Sequence, residues 1–241
     1  MNPQAVIKQK PQSMQRALGS LADIPGPDTR DLKICRSIAG DKPEVLTGIY
    51  EEDCNLAVWQ RMLAPELEQE IEALLQSRNN FNVSLPLSPQ SANSDIHRAL
   101  ETSASAPMLA NDICELVDMF CFLFDVNLSG LRLRSLEQPM CPRFHVDHVT
   151  CRLITTYRGP TTQWLPHKGT DRSKLGRGNG GRPDESSGLF QHQSDINQAL
   201  TGDVLLLKGE RWQGNEGTGL VHRSPKIPDG GKRLLLTLDL I

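Results

Sequence analysis

The sequence predicts an α+β fold in which helices come first and strands second. Two segments before residue 128 carry apolar residues at three- and four-residue spacings, which is typical of helices packed on a sheet. After residue 129, short apolar runs alternate with turn signals such as Arg158-Gly159-Pro160 and Asp229-Gly230-Gly231. This order indicates helices packed against an antiparallel barrel or sandwich.

The length of 241 residues is enough for one sizeable core. Residues 1–30 are polar and proline-containing, and we expect them to form a flexible arm. Residues 31–241 are expected to form a single domain. Within it, residues 31–128 form the mainly helical part and residues 129–241 form the β-barrel core.

In the first half, the apolar spacing predicts a helix from about Cys54 to Arg78 that is split or restarted at Pro65. Residues 81–89 contain two prolines and are expected to form extended chain or an edge strand. A second helical region runs from about Ser94 to Asp125, with an interruption at Pro107.

The second half contains six predicted strands and one long loop. The loop, residues 167–187, is rich in Gly, Arg and Lys, and it is expected to be either a lid over a site or an inert insertion. The predicted strands are Leu131–Glu137, Phe144–Val149, Cys151–Tyr157, Asp203–Lys208, Gly219–His222 and Arg233–Ile241.

Composition excludes several classes of protein. The net charge of −3 does not favour nucleic-acid binding, and no apolar run is long enough to span a membrane. The first residues lack an apolar signal region, and the six cysteines lack the spacing of a disulfide framework. We therefore expect a cytoplasmic protein that acts on a small molecule, and the sequence does not indicate its oligomeric state.

The most informative stretch is His145-Val146-Asp147, an H-x-D pair within an apolar, β-branched run. Side chains two residues apart on a strand point to the same face, so the pair supplies two of three ligands for a metal. The best candidate for the third ligand is His222. His148 is an alternative ligand, but it would need a β-bulge to reach the same face.

With Arg233 further along the chain, this pattern resembles the Fe(II)/2-oxoglutarate-dependent oxygenases. The resemblance implies a double-stranded β-helix, which is a cupin-like jelly roll, with Fe(II) and 2-oxoglutarate as cofactors. It also implies that His145, Asp147 and His222 hold the metal. Arg233 would pair with the far carboxylate of 2-oxoglutarate, and Tyr157 would be a second donor to that carboxylate.

Four further residues are candidates for contact with the substrate. Arg152 could hold an anionic substrate or pair with a carboxylate of the protein, and Trp164 could stack on a substrate or close the core. Lys208 and Trp212 lie near a predicted hairpin end that could line the same opening.

A second resemblance covers most of the chain. The strings PRFHVDHV, CRLITTYRGPTTQWL, GDVLLLKGERW and GLVHRSP resemble the family called domain of unknown function 1826, which implies no activity. We therefore predict a metal-dependent oxygenase of unknown substrate, with an anionic substrate favoured by the basic loop. The alternatives are a cupin-like protein that binds Zn or another divalent metal without oxygenase chemistry, and a non-catalytic β-barrel that binds a partner.

Overall fold

Residues 34–77, 82–101 and 106–241 are described by the computed structural model, and they form three α-helices and ten strands. The predicted flexible arm, residues 1–30, lies outside the described residues. The helices are α1 (Pro65–Ser77), α2 (Pro89–Glu101) and α3 (Pro107–Phe124). The strands are β1 (Arg36–Gly40), β2 (Cys54–Trp59), β3 (Asn82–Leu87), β4 (Ser129–Leu136), β5 (Cys151–Arg158), β6 (Gln163–Trp164), β7 (Asn197–Gln198), β8 (Val204–Lys208), β9 (His222–Arg223) and β10 (Arg233–Leu240).

The strands form a large sheet and a small sheet. The large sheet has seven strands in the order β1-β2-β8-β5-β10-β4-β3, and the small sheet has three in the order β7-β6-β9. Within the described residues every pairing is antiparallel except that of β1 with β2. The fold is therefore a mixed one with a large, mainly antiparallel sheet.

Two apolar cores lie on the two faces of the large sheet. The helices cover one face, where Ile113 and Phe120 of α3 pack with Leu153, Leu206 and other sheet residues that point to the same side. The opposite face carries a second core formed by Leu56, Val58, Ile154, Leu205, Leu207 and Leu235, with Leu220 and Trp164 from the region of the small sheet. The small sheet therefore faces the large one, and the molecule has three layers.

The basic loop, residues 167–187, lies behind the small sheet. Val221 and Leu165 project from the outer face of that sheet into a third cluster that contains Leu189 and Phe190, with Leu175 packed against it. Arg172 of the loop donates to the carboxylate of Glu210 at 3.0 Å and to the carbonyl of Gly219 at 2.8 Å. The loop is thus attached to the outer side of the small sheet.

Most predicted elements are confirmed, with three corrections. In the predicted strand Gly219–His222, only His222 belongs to a strand, β9. The segment 54–59 is strand β2, not the start of a helix, and the helix begins at Pro65. β2 is buried on both faces, so it lacks the alternation that identifies a half-exposed strand. The segment 144–149 is not a strand, since only His145 forms an isolated β-bridge there.

The mainly helical part also contributes β1, β2 and β3 to the large sheet. The division of the chain into an arm and one domain stays a prediction. In the part of the chain that the structure describes, no helix combines the length and the apolar character needed to cross a membrane.

Candidate metal centre

Two histidines from distant parts of the chain are placed side by side by main-chain hydrogen bonds. The N–H of His145 donates to the carbonyl of His222 at 3.0 Å, and the N–H of His222 donates back to His145 at 3.0 Å. Side chains of directly opposed antiparallel residues lie on the same face, and the two imidazole centroids are 4.6 Å apart. Trp164 of β6 is paired with His222 on the other side, so these three side chains form one row.

Asp147 completes a group of three possible ligands. One of its oxygens, Oδ1, lies 3.4 Å from Nε2 of His145, and Oδ2 lies 3.4 Å from Nε2 of His222. One ligand atom from each residue can be chosen so that all lie within 4.8 Å of one another. These separations are short enough for the three ligand atoms to bind one metal ion.

The imidazoles are oriented for metal binding by their other nitrogen. Nδ1 of His145 lies 3.0 Å from the carbonyl oxygen of Arg143, and Nδ1 of His222 lies 3.1 Å from that of Leu220. A carbonyl accepts only, so each Nδ1 carries a proton, and Nε2 of each ring is directed toward Asp147. Backbone carbonyls commonly orient metal-ligating histidines in this way.

A neighbouring turn holds the backbone of Asp147. The N–H of Glu210 donates to the carbonyl of Asp147 at 3.0 Å, and the N–H of Arg211 donates to that of Val149 at 3.1 Å. A Cβ at Gly209 would lie 2.1 Å from the carbonyl oxygen of Val149 and 2.7 Å from that of Asp147. Only glycine permits this close approach, which fixes the position of the Asp147 main chain.

Charge and burial act in opposite directions on this group. Burial by itself would raise the pKa of Asp147, but hydrogen bonds from His145 and His222 and the charge of Arg152 outweigh it and hold the pKa below its usual range. Burial would lower the pKa of His145, but its hydrogen bonds to Asp147 and to the Arg143 carbonyl raise it. The carboxylate is therefore ionised at neutral pH, as metal binding requires.

A second charged group adjoins Asp147. Nη1 of Arg152 donates to Oδ2 of Asp147 at 2.6 Å, while its Nε and Nη2 donate to the two oxygens of Asp239 at 2.6 and 3.0 Å. Arg132 donates to the same Asp239 carboxylate at 2.5 Å. Arg152 is thus paired with two protein carboxylates, which was one of the two roles predicted for it.

Arg233 lies in a different environment. Only 1% of its surface is exposed, and its guanidinium donates to the hydroxyls of Ser224 at 3.0 Å, Thr156 at 3.1 Å and Thr162 at 2.9 Å. Nε of Arg233 is buried without a hydrogen-bond partner within the described residues. Burial lowers the pKa of Arg233 to about 10, and none of the described carboxylates forms an ion pair with it.

The chain matches the model of one protein family. The family model described as a protein of unknown function, DUF1826, matches residues 40–239. The chain belongs to the DUF1826 family. No curated protein matches the DUF1826 chain in sequence.

The fold of the DUF1826 chain is similar to those of several solved oxygenases. The dioxygenase for auxin oxidation in rice is 11% identical, with a TM-score of 0.47 over 86% of this chain and 83% of that one. The Arabidopsis thaliana dioxygenase for auxin oxidation 1, in complex with 2-oxoglutarate, is 10% identical, with a TM-score of 0.48 over 86% and 92%. A Pseudomonas putida prolyl-4-hydroxylase is 11% identical, with a TM-score of 0.42 over 81% and 96%.

Among the residues predicted for the site in this DUF1826 protein, three lie on the helix side of the large sheet, opposite the candidate metal centre. Tyr157 packs in the helix-side core and donates to the carboxylate of Asp112 at 2.6 Å, because it follows Thr156 by one residue and so faces the other way. Lys208 donates to the carbonyl of Glu51 and stacks on Trp212, which also belongs to the helix-side core. None of the three is part of the candidate metal centre.

The three hydroxyls around Arg233 were not predicted. Thr156 belongs to β5, Thr162 precedes β6 and Ser224 follows β9, so the chain brings them together only through sheet pairing. One sequence signal was available for Ser224. It lies two residues after His222, so a strand there would place both side chains on one face.

Proposed function

We propose that this DUF1826 protein is an oxygenase of the Fe(II)/2-oxoglutarate type. In this proposal His145, Asp147 and His222 hold the metal, and Arg233 binds the far carboxylate of 2-oxoglutarate. Two imidazoles and one carboxylate are the ligand set that holds non-haem Fe(II) and leaves positions open for further ligands. Fe(II) with 2-oxoglutarate in such a site activates oxygen for the oxidation of a substrate.

The observation that carries the proposal is the environment of Arg233. A buried cation without an opposing charge costs stability, so its retention calls for an anionic ligand that is bound during function. The three hydroxyls fix the guanidinium plane, and the unpartnered Nε retains a donor. A guanidinium offers paired donors that suit a carboxylate.

The position of Arg233 relative to the metal ligands supports a ligand that bridges them. Its guanidinium contacts Ser224, which lies two residues beyond His222. Two residues of extended chain span about 6–7 Å. A short dicarboxylate such as 2-oxoglutarate can therefore reach from the metal ligands to the guanidinium.

We also propose that the two facing sheets form a double-stranded β-helix. The candidate ligands lie between the sheets, as His222 and Trp164 project from the small sheet toward the core that separates it from the large one. His222 is buried, whereas the side chains of Asp147 and His145 are 16% and 32% exposed, so the group is open to solvent on the side of His145. Trp164 is the aromatic residue nearest to His222 in register, which makes it the best placed of the predicted substrate contacts.

The alternatives differ in what they require of Arg233. A Zn-binding protein without a cosubstrate can use the same three ligands, but it leaves the buried guanidinium without an anionic partner among the described residues. A non-catalytic binding module would need neither the metal ligands nor the buried cation.

The test is an anaerobic titration of the metal-free protein with Fe(II), with and without 2-oxoglutarate. We expect a visible metal-to-ligand charge-transfer band that needs both components. Arg233→Gln should lose the band at the same 2-oxoglutarate concentration while still binding Fe(II). Arg158→Gln is the matched control, since Arg158 pairs with Glu72 on the surface.

Two results would contradict the proposal. Metal binding without the band would favour the Zn-type alternative, and no metal binding would favour the non-catalytic module. Loss of metal binding in His145→Ala and His222→Ala, but not in His148→Ala, would support the ligand assignment.

A further inference from the structure

We propose that Arg152 is a positioning residue that holds Asp147 as a one-oxygen metal ligand. This inference rests on the proposed function, because it assumes that Asp147 binds a metal. Nη1 of Arg152 lies 2.6 Å from Oδ2 of Asp147, which is the length of a strong charge-assisted hydrogen bond. The other oxygen, Oδ1, faces His145 and accepts nothing from Arg152.

Arg152 is itself held rigidly. Asp239, which lies opposite it on β10, accepts from Nε and Nη2 in a two-pronged pair, and Arg132 of β4 binds the same carboxylate. The four side chains form a row of alternating charge, Asp147–Arg152–Asp239–Arg132, in which Asp147 precedes β5 and the other three lie on the adjacent strands β5, β10 and β4. Their charges cancel, so the row orients Asp147 without adding net positive charge beside a cation.

The consequence concerns the number of positions left open on the metal. A carboxylate that is free to rotate can bind an ion through both oxygens and occupy two positions. Because the Arg152 guanidinium engages Oδ2, Asp147 is restrained to bind through Oδ1. The sites needed for 2-oxoglutarate and oxygen are then kept free of protein ligands.

The same contacts argue against a substrate role for Arg152. All three of its guanidinium nitrogens donate to carboxylates of the protein, and its side chain is only 20% exposed. An anionic substrate would have to displace Asp147 or Asp239 to reach it. Arg233, by contrast, has no carboxylate partner within the described chain.

The experiment is a Mn(II) titration of the metal-free, full-length protein, followed by a titration of the loaded protein with 2-oxoglutarate. The variants are Arg152→Gln, Arg152→Lys and Asp239→Asn, with Arg158→Gln as the matched control on the same strand. We expect Arg152→Gln to raise the Kd for Mn(II) by about 10- to 100-fold, the usual effect of removing a group that orients a ligand. Arg152→Lys should restore part of the affinity because it retains one charged donor.

The 2-oxoglutarate titration separates positioning from general damage. If Asp147 becomes a two-oxygen ligand in Arg152→Gln, 2-oxoglutarate affinity should fall even at saturating Mn(II), while the thermal unfolding temperature of Arg152→Gln stays close to that of the Arg158→Gln control. If Arg152→Gln does not fold, Asp239→Asn tests the same point, because it removes the charge that holds Arg152 in place against Asp147.

The outcomes distinguish this inference from the proposed function. Unchanged Kd values for Mn(II) and 2-oxoglutarate in both Arg152→Gln and Asp239→Asn would overturn the positioning role and leave the oxygenase proposal intact. Weakened Mn(II) binding in these variants, with no 2-oxoglutarate binding to the wild type, would support the positioning role and contradict the oxygenase. A wild type that binds no metal would overturn both.

Discussion

At the scale of single residues, Arg233 shows a conflict between stability and ligand binding. Its guanidinium is buried and is held by three neutral hydroxyls, so desolvation is only partly compensated. If this position had only a structural role, an apolar side chain of similar length would stabilise the fold more than arginine does. The conflict leads to a prediction that separates the two roles.

Arg233→Met is expected to keep or raise the free energy of unfolding of the metal-free protein, by up to about 1–2 kcal/mol, because it removes an uncompensated buried charge. Binding of 2-oxoglutarate should weaken on the order of 100-fold, since a buried charge pair is lost. Urea unfolding and ligand titration measure the two effects. Strong destabilisation without a loss of affinity would assign Arg233 a structural role.

The pair of His145 and Asp147 predicts a pH dependence of stability in the metal-free protein. The folded pKa of His145 is raised, so its pairing with Asp147 contributes stability that is present below about pH 6.5 and is lost as pH rises through the folded pKa. The pKa of Asp147 is lowered, so its own contribution is lost only at acidic pH. Asp147 is ionised throughout the range above pH 6.

Asp147→Asn should therefore destabilise the metal-free protein more at pH 6 than at pH 9. Urea unfolding at both pH values, without metal, measures the difference. In a His145→Gln background the pH dependence of this effect should become smaller, with His222 left as the histidine that contacts Asp147. An equal effect at both pH values in the otherwise native protein would contradict the assigned pairing.

The candidate metal ligands could be predicted from the sequence, but the pocket around Arg233 could not. The H-x-D pair is recognisable because its two residues are close in the chain, and the later histidine is recognisable by its residue type and its order after the pair. Thr156 and Thr162 carry no such signal, because ordinary threonines become guanidinium partners only after β5 and β6 have taken their places. Tyr157 was named from the family resemblance alone, and in the structure its neighbour Thr156 is the β5 residue that contacts Arg233.

At the scale of secondary-structure elements, β5 divides the functions of the large sheet between its two faces. Arg152, Ile154 and Thr156 face the small sheet and the candidate centre, while Leu153 and Tyr157 face the helices. On the helix side, Tyr157 donates to Asp112, which also forms a two-pronged pair with Arg61 at 2.6 and 2.9 Å. This buried network joins α3 to the sheet.

Tyr157→Phe should accordingly lower the free energy of unfolding by about 1.5–3 kcal/mol, the usual contribution of a hydrogen bond to a charged group. The Kd for 2-oxoglutarate should not change, because Tyr157 lies on the helix side of the sheet. Urea unfolding and ligand titration again measure the two effects. Weaker 2-oxoglutarate binding at unchanged stability would indicate that Tyr157 does contact the cosubstrate.

The element that the sequence misidentified, β2, was hidden by its location. Its neighbours β1 and β8 cover its edges, the helix layer covers one face and the small-sheet side covers the other. Burial on both faces removes the polar positions that would reveal a period of two. The edge strand β3 was recognised because Pro86 is tolerated only at such a position.

At the scale of the whole molecule, the candidate metal would join segments that are far apart in the chain. His145 and Asp147 belong to the loop before β5, and His222 belongs to the small sheet. Because the unfolded chain does not hold these groups together, an ion that binds the folded state should stabilise the entire fold.

At a free Mn(II) concentration of about 100 times Kd, the free energy of unfolding should rise by about 2.7 kcal/mol. Thermal unfolding at several Mn(II) concentrations measures the shift. His222→Ala should abolish it, and Ca²⁺, which prefers oxygen ligands, should give a smaller one. A shift that survives in His222→Ala would indicate a metal site elsewhere.

The central place of β10 in the large sheet has a consequence for folding. β10 joins β4 to β5, and its partner residues in β4 lie roughly 100 residues earlier in the chain. During synthesis, the facing edges of those two apolar strands stay unpaired until β10 has emerged from the ribosome. Such long-range pairing is slow and exposes strand edges to aggregation, so growth at low temperature or with added chaperones should raise the soluble yield.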